Sequence, residues 1–513
     1  MLRGVRNTAR LFSLARLLAR HDALFLLDEL TIAPGLSFFA RLISRRNVPG
    51  RPGERLALAL QEAGPSFIKL GQTLSTRSDL LGEQMAADLS GLRDHLPPFD
   101  FSKVKATVEG ELGRPLAELF ASFDEAPVAA ASIAQVHFAT TRDGREVAVK
   151  VLRPGIEEAF HADLDLFFWI AELVEMARPD FRRLRPVDSV QALADTVALE
   201  MDLRFEAAAA AELGENFKDD PDFAVPAVDW RLTAARVLTT ERVQGVPMDD
   251  RQAILGLGLD PESIVAKAAT AFFQQVFRDG FFHGDLHPGN LMVRADGGLV
   301  AVDFGIMGRI DKRTRRVLGE MLLAFLSRNY RRAAEVHFEA GWVPADKSVD
   351  TFTQACRSIA EPILDLPTNE ISMARLLGQL FQITETFHME AQPQLLLLQK
   401  TMLVAEGTGR HLCPHINMWF LSRPLIEDWM VENLGPEAKL AEAAQLGARA
   451  LGRLPLLVEN LDKAAAGLAG GTVKLDNATL DALTRRRGNT LLPLVVAGLA
   501  GGLIASLIVL LLA

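Results

Sequence analysis

Cysteine is scarce: Cys356 and Cys413 are the only two among 513 residues, and they stand far apart. Two cysteines are too few for a disulfide framework and lack a metal-ligand spacing, and they fit a reducing compartment. An excess of positive charge is also missing. With 55 Lys and Arg against 65 Asp and Glu the net charge is −10, which argues against nucleic acid as a partner. No internal repeat, flavin fingerprint or iron-ligand cluster is present, so nothing directly supports a redox enzyme. Hydrophobic mass is abundant. At 49% of the chain it suffices for two or three domains with a sizeable core.

The charge is unevenly spread. The first residues carry Arg3, Arg6, Arg10, Arg16 and Arg20 without an acid. Three readings compete: a membrane-surface amphipathic helix, the first helix of the fold, and a transit peptide, which lacks an evident small-residue cleavage site. At the other end, Leu491–Ala513 contains no charge and follows Arg485, Arg486 and Arg487. At ~1.5 Å per residue it extends roughly 35 Å, enough to cross a ~30 Å hydrocarbon core. Its flanking arginines would remain on the cytoplasmic side. Gly498 and Gly502 would let another helix approach closely. The expectation is a transmembrane tail anchor.

Between these ends the pattern changes twice. Residues 22–118 read mostly as helices broken at Pro34, Pro49 and Pro97-Pro98. From about Phe120 alternating runs take over: 132–140 and 145–152 flank Arg142-Asp143-Gly144, a hairpin turn signal. Helical spacing returns over 156–178 and 188–217, a further strand follows at 236–248, and 311–480 is helical again. The expected organisation is 1–118 as a helical extension, 119–245 as a small β-containing lobe with a helical insertion, and 246–430 as a larger lobe. A helical linker at 431–490 and the tail at 491–513 complete it. The fold class is α+β.

The chemistry concentrates in HGDLHPGNLMVRADGGLVAVDFG, His283–Gly305. Asp285 and Asn290 have the spacing of the Asp and Asn in the kinase catalytic loop, and Asp303 opens an Asp-Phe-Gly. Two short apolar runs around Asp296-Gly297-Gly298 fold the segment back and bring the three side chains together. Carboxylate and amide oxygens are hard ligands able to hold Mg²⁺ against phosphate. Phosphoryl transfer also needs a cation on the phosphates. Lys150 ends Val147-Ala148-Val149-Lys150, where alternation separates the valines from Ala148 and Lys150. One strand earlier, Val128-Ala129-Ala130-Ala131-Ser132 occupies the place of a glycine-rich phosphate loop, with alanines that restrict its shape. Lys150 needs a carboxylate partner, and spacing offers Glu172, Glu200, Asp202 or Glu206 without choosing among them. On one continuous helix Glu200 and Glu206 would lie about 120° apart and face different partners.

Together these residues resemble the UbiB/ADCK family of atypical protein-kinase-like proteins, over roughly residues 25–430. Lys69-Leu70-Gly71-Gln72 matches the family's KxGQ motif, Pro127–Ser132 its alanine-rich loop, and Glu200-Met201-Asp202 its E-x-D signature. The resemblance implies a two-lobed kinase-like fold that binds ATP or ADP with Mg²⁺. Lys150 would hold the α/β phosphates and pair with Glu206; Asn290 and Asp303 would bind metal; Asp285 would take the catalytic-base position. Glu241 would be the hinge that meets adenine. Lys69 and Gln72 would face the cleft, Lys69 toward Glu200 and Asp202, and fold across the place where protein kinases admit a peptide. One departure stands out: many members of the family read EAAN from the position of Glu206, whereas this chain continues with Ala207, Ala208 and Ala209.

The resemblance further implies a role in ubiquinone biosynthesis at the inner membrane, with the bulk of the chain on the cytoplasmic side. Membrane lipids, polyprenyl precursors of ubiquinone or other proteins of that pathway would be its partners. ATP hydrolysis or a small lipid-like substrate is favoured over protein phosphorylation. Two alternatives are a small-molecule kinase of the aminoglycoside or choline type, which shares the His-Gly-Asp loop, and a lipid-binding pseudokinase scaffold.

Overall fold

The computed structural model describes residues 2–24, 48–75, 83–90, 92, 97–177, 186–362, 383–384, 386–389, 393–414 and 424–431. The expected tail at 491–513 and all but the first residue of the expected linker lie outside these. Among the described residues no helix is long and apolar enough to cross a membrane.

The strands in chain order are β1 (Phe120–Phe123), β2 (Ala129–Ala130), β3 (Ala134–Thr141), β4 (Glu146–Leu152), β5 (Phe223–Ala224), β6 (Val237–Glu241), β7 (Val246–Pro247), β8 (Phe281–His283), β9 (Leu291–Val293), β10 (Leu299–Ala301) and β11 (Met307–Arg309). The small lobe is an antiparallel sheet in the order β1-β3-β4-β6, with β2 paired to β3. Alternation along β4 does what the sequence pattern requires. Val147, Val149 and Val151 are buried on one face, against Val104 and Val108 of the helix Phe101–Leu112. That helix, expected within the extension, is therefore part of the sheet's own core. Lys150 emerges from the opposite face.

On that face the helical extension joins the fold. Leu56, Leu60 and Phe67 share a core with Leu152, Leu238, Phe160 and Phe167, and the Phe67 and Phe167 rings meet edge to face at 5.1 Å. The N-terminal helix Leu2–Arg20 lies on the same cluster through Leu11, Leu14 and Leu18. Arg6 pairs with Asp165, Arg10 with Asp163 and Arg20 with Glu62. Of the three readings of this segment, the structure fits the first helix of the fold, with Arg6, Arg10 and Arg20 facing protein carboxylates.

The acidic stretch after residue 186 is not one helix. It is Pro186–Glu200 followed by Leu203–Asn216, because Asp202 is extended and caps the second helix through the Arg204 amide. An N-cap carboxylate satisfies an amide that the first turn leaves without an acceptor. The break, rather than helical pitch, separates Glu200 from Glu206. The second helix also ties the lobes together: Leu203 and Ala207 join the upper core, while Ala210 and Leu213 join the lower one.

The large lobe carries the sheet β5-β10-β9-β7 and the pair β11-β8 around a phenylalanine-rich core that includes Phe272, Phe277, Phe282 and Phe304. The β9–β10 hairpin turns at Gly297, whose φ of 78° is one that L side chains rarely adopt. Helices Lys312–Leu326, Tyr330–Glu339, Val349–Ala360 and Pro393–Leu412 follow.

Candidate functional site

Lys150 is the centre of a three-residue charge cluster. Its Nζ lies 2.7 and 3.0 Å from the two Glu206 carboxylate oxygens and 3.2 Å from Asp303 Oδ1. Glu206, in the first turn of its helix, also accepts from the Phe304 amide at 3.4 Å. Strand, helix and Asp-Phe-Gly turn thus meet at one ammonium. Glu172, the alternative partner by spacing, is exposed on the helix Ile156–Ala177. Burial disfavours the Lys150 charge, but Asp303 and Glu206 outweigh it and hold the ammonium above its usual range. The same ammonium draws Asp303 well below the usual carboxylate range. Burial pushes Glu206 upward, and the Lys150 charge opposes it.

The hairpin segment fixes the remaining groups through its backbone. Buried His283 holds two of them at once. Its Nδ1 accepts from the Asp285 amide at 3.1 Å, which leaves Nε2 to donate to the Asp303 carbonyl at 2.7 Å. Its own amide is held by the buried Gln275 side chain at 2.9 Å. Burial lowers the His283 pKa, favouring the neutral ring this pattern requires. Asp303 adopts a left-handed backbone, φ 62°, and its Oδ1 accepts from Gly305 at 3.3 Å. Such a conformation in a residue with a side chain is costly and is found where surroundings enforce it.

Asn290 donates its Nδ2 to the Asp285 carbonyl at 3.0 Å, so its side-chain oxygen is the atom left for a cation. The Val302 amide bonds the Asn290 carbonyl at 2.9 Å, which sets Asn290 across the hairpin from the residue preceding Asp303. One carboxylate and one amide oxygen fit Mg²⁺, which commonly takes few protein ligands and fills its shell with phosphate and water.

The alanine-rich loop is a tight hairpin arm. Ala129 and Ala130 face Val136 and Gln135, and the Val128 and Ala131 amides bond to the carbonyls of Val136 and Ala134 at 2.8 Å. Those two amides are committed to the sheet. The Val128 side chain is exposed, and the Ser132 hydroxyl is buried with no hydrogen-bond partner among the described residues. Glu241 ends β6 opposite Val147, its side chain exposed and its amide bonded to the Ala227 carbonyl at 2.8 Å.

Lys69 and Gln72 lie on the helix Pro65–Ser75. Lys69 Nζ is 2.9 Å from Glu200, in a pair whose side chains are 13% and 7% exposed. Of the two acids expected near Lys69, Asp202 is engaged elsewhere, capping its helix and holding the Arg204 guanidinium at 2.6 Å. Gln72, three residues on, is half-buried.

Motif reading missed Lys400. It reaches Asp285 Oδ1 at 3.0 Å from the helix Pro393–Leu412, 115 residues along the chain. It also missed Gln275, in the π-helical turn Gln274–Asp279 that precedes β8. Irregular turns of this kind often accompany functional sites, but no sequence signal marks this one.

A strand lysine paired to a helix glutamate, with Asp, Asn and Asp-Phe-Gly on one folded segment, defines a protein-kinase-like site. Residues 91–337 match the ABC1 atypical kinase-like domain family, and 356–417 match the UbiB helical domain. A Marinobacter nauticus protein named probable protein kinase UbiB is 45% identical over 388 residues, covering 75% of this chain and 71% of its own. One of the same name from Pseudomonas entomophila is 40% identical over 503 residues, 96% and 93% of the two chains. The solved complex of Rv3197 with erythromycin, from Mycobacterium tuberculosis, aligns with a TM-score of 0.51 at 28% identity, over 72% of this chain and 93% of that one. The chain belongs to the UbiB family of atypical kinase-like proteins.

Proposed function

We propose that the cleft around Lys150 binds Mg-ATP or Mg-ADP and that the protein is a kinase-like ATPase supporting ubiquinone biosynthesis. The observation that carries this reading is the Lys150 ammonium held between Glu206 at 2.7 Å and Asp303 at 3.2 Å. Lys150 would receive the α/β phosphates, and Asp303 with the Asn290 oxygen would hold the metal. The metal, when bound, neutralises charge on the phosphate oxygens. Asp285 would orient the attacking hydroxyl or water, while neutral His283 keeps the backbone around Asp285 and Asp303 in place. Glu241 is proposed at the adenine end, and the alanine-rich arm above the phosphates.

The test is Asp303→Asn, which removes one ligand charge at nearly constant size. Mg-dependent nucleotide affinity, measured by calorimetry, should fall by more than about 10-fold, corresponding to a loss above roughly 1.4 kcal/mol. Unchanged affinity would remove the metal assignment.

The physiological setting extends the proposal. Names of the relatives point to ubiquinone synthesis, and the charge-free stretch at 491–513 fits attachment to the inner membrane with the catalytic unit on the cytoplasmic side. Polyprenyl-phenol intermediates, or the proteins that handle them, are the proposed partners. Truncation before Arg485 should shift the protein from the membrane pellet to the soluble fraction; full retention would reject the anchor.

A further inference from the structure

The Asp285 carboxylate is the least constrained part of an otherwise fixed loop. Its amide is held by His283 and its carbonyl by Asn290, so the side-chain rotamer is the freedom that remains. Lys400 restrains it by donating to Oδ1 at 3.0 Å. The other oxygen, Oδ2, lies 3.9 Å from His287 Nε2, beyond hydrogen-bond range, and is the oxygen left to meet an attacking group.

The helix carrying Lys400 is registered on the loop by a second contact. The kinase catalytic motif has Arg immediately before its Asp. Here that position is Gly284, and a Cβ there would come within 2.8 Å of Leu397 Cδ2. Leu397 and Lys400 are three residues apart, hence on one face of their helix. A residue with no side chain therefore admits Leu397 against the loop, and the same face delivers a cation to the neighbouring aspartate. Residue 400 lies within the span matching the UbiB helical domain.

We propose that Lys400 is a positioning residue: acting through Asp285, it fixes the carboxylate with Oδ2 toward the attacking oxygen. The helical domain thereby completes the phosphoryl-transfer site. This rests on the reading of Asp285 given above, and the experiment separates the two.

The full-length protein is assayed for ADP release from Mg-ATP, with nucleotide binding and thermal midpoint measured alongside. Lys400→Met should lower kcat by about 100-fold, the scale of a misplaced general base, without changing nucleotide affinity or the midpoint. Lys400→Arg, which keeps a charged donor, should recover much of that loss. In an Asp285→Asn background, Lys400→Met should cost nothing further, because residues acting as one unit are not additive. Parent-like or faster turnover in Lys400→Met overturns the proposal, the faster case making Lys400 an inhibitor of Asp285 rather than its support. Equal losses in the Met and Arg variants with a lowered midpoint also overturn it, as packing alone. If Asp285→Asn turns over like the parent, the Asp285 reading fails and Lys400 loses its role with it. If Asp285→Asn is inactive while Lys400→Met is normal, only Lys400 is refuted.

Discussion

Two lysine–glutamate pairs stand on either side of Asp202. Lys69–Glu200 closes at 2.9 Å with side chains 13% and 7% exposed; Lys150–Glu206 closes at 2.7 Å with 17% and 9%. Chemistry, distance and burial are nearly the same. Surroundings are not. The first pair joins the helix Pro65–Ser75 to the helix Pro186–Glu200, inside the packing of the extension. The second joins a strand to a helix and also reaches Asp303, whose side chain is 50% exposed. A buried ion pair by itself says little about function, since desolvation offsets much of its Coulombic gain. At Lys150 the further carboxylate of Asp303 remains open to solvent, and that open charge is what makes this pair a candidate ligand site.

The sharpest way to break this comparison is Lys150→Met. It leaves Glu206 buried without its cation, and removing one partner of a buried pair costs on the order of 3–5 kcal/mol. We expect urea denaturation to show that loss and calorimetry to show no nucleotide binding. Retained nucleotide affinity would place the phosphates elsewhere.

The Lys69→Ala, Gln72→Ala double variant strikes the other pair. Stability should fall by about 3 kcal/mol on the same argument, with the protein still folded. If the extension acts as a lid over the cleft, nucleotide affinity or ATP turnover changes as well. Parent-like values of both would leave the segment a packing element.

Acid should separate the ion pairs from the histidine that supports the site. Lys150 is held above and Asp303 below its usual range, so both stay charged near neutrality. Burial places the His283 pKa below its ordinary 6.5. The unfolded chain then binds this proton first, and stability falls as pH drops below 6.5, by up to about 1.4 kcal/mol per pH unit for one proton. His137 and His337 are shifted in the same direction by burial and add to the slope. Thermal midpoints between pH 8 and 5 would show it; a flat profile would contradict a neutral His283.

The smallest effect is expected at Asp202, which divides the two acidic helices. Asp202→Ala removes an N-cap and should cost about 1 kcal/mol. Nucleotide affinity should not change, because Glu206 is held by Lys150 and the Phe304 amide as well as by its helix.

Local sequence was sufficient where the physics is local. Alternation in 147–150 separates the valines from Lys150, and Asp296-Gly297-Gly298 reverses the chain so that Asn290 and the Asp-Phe-Gly turn are neighbours. Asp285, Asn290 and the Asp303 turn lie close together because a short hairpin leaves few other arrangements.

Choices that depend on distant packing were not legible. Glu172, Glu200 and Glu206 are chemically alike, and the Lys150 partner was decided by a helix break capped at Asp202 and by a second helix lodged between two cores. The helix Phe101–Leu112 looked like more of the extension until the valine face of β4 claimed it. Lys400 is an ordinary helix lysine by sequence; the packing of its helix on the large-lobe core, with Leu397 over Gly284, sets its ammonium beside Asp285. Spacing along a chain specifies neighbours within one hairpin or one helix turn. Which helix face meets which loop is settled by burial summed over the whole core, and a motif contains no record of that sum.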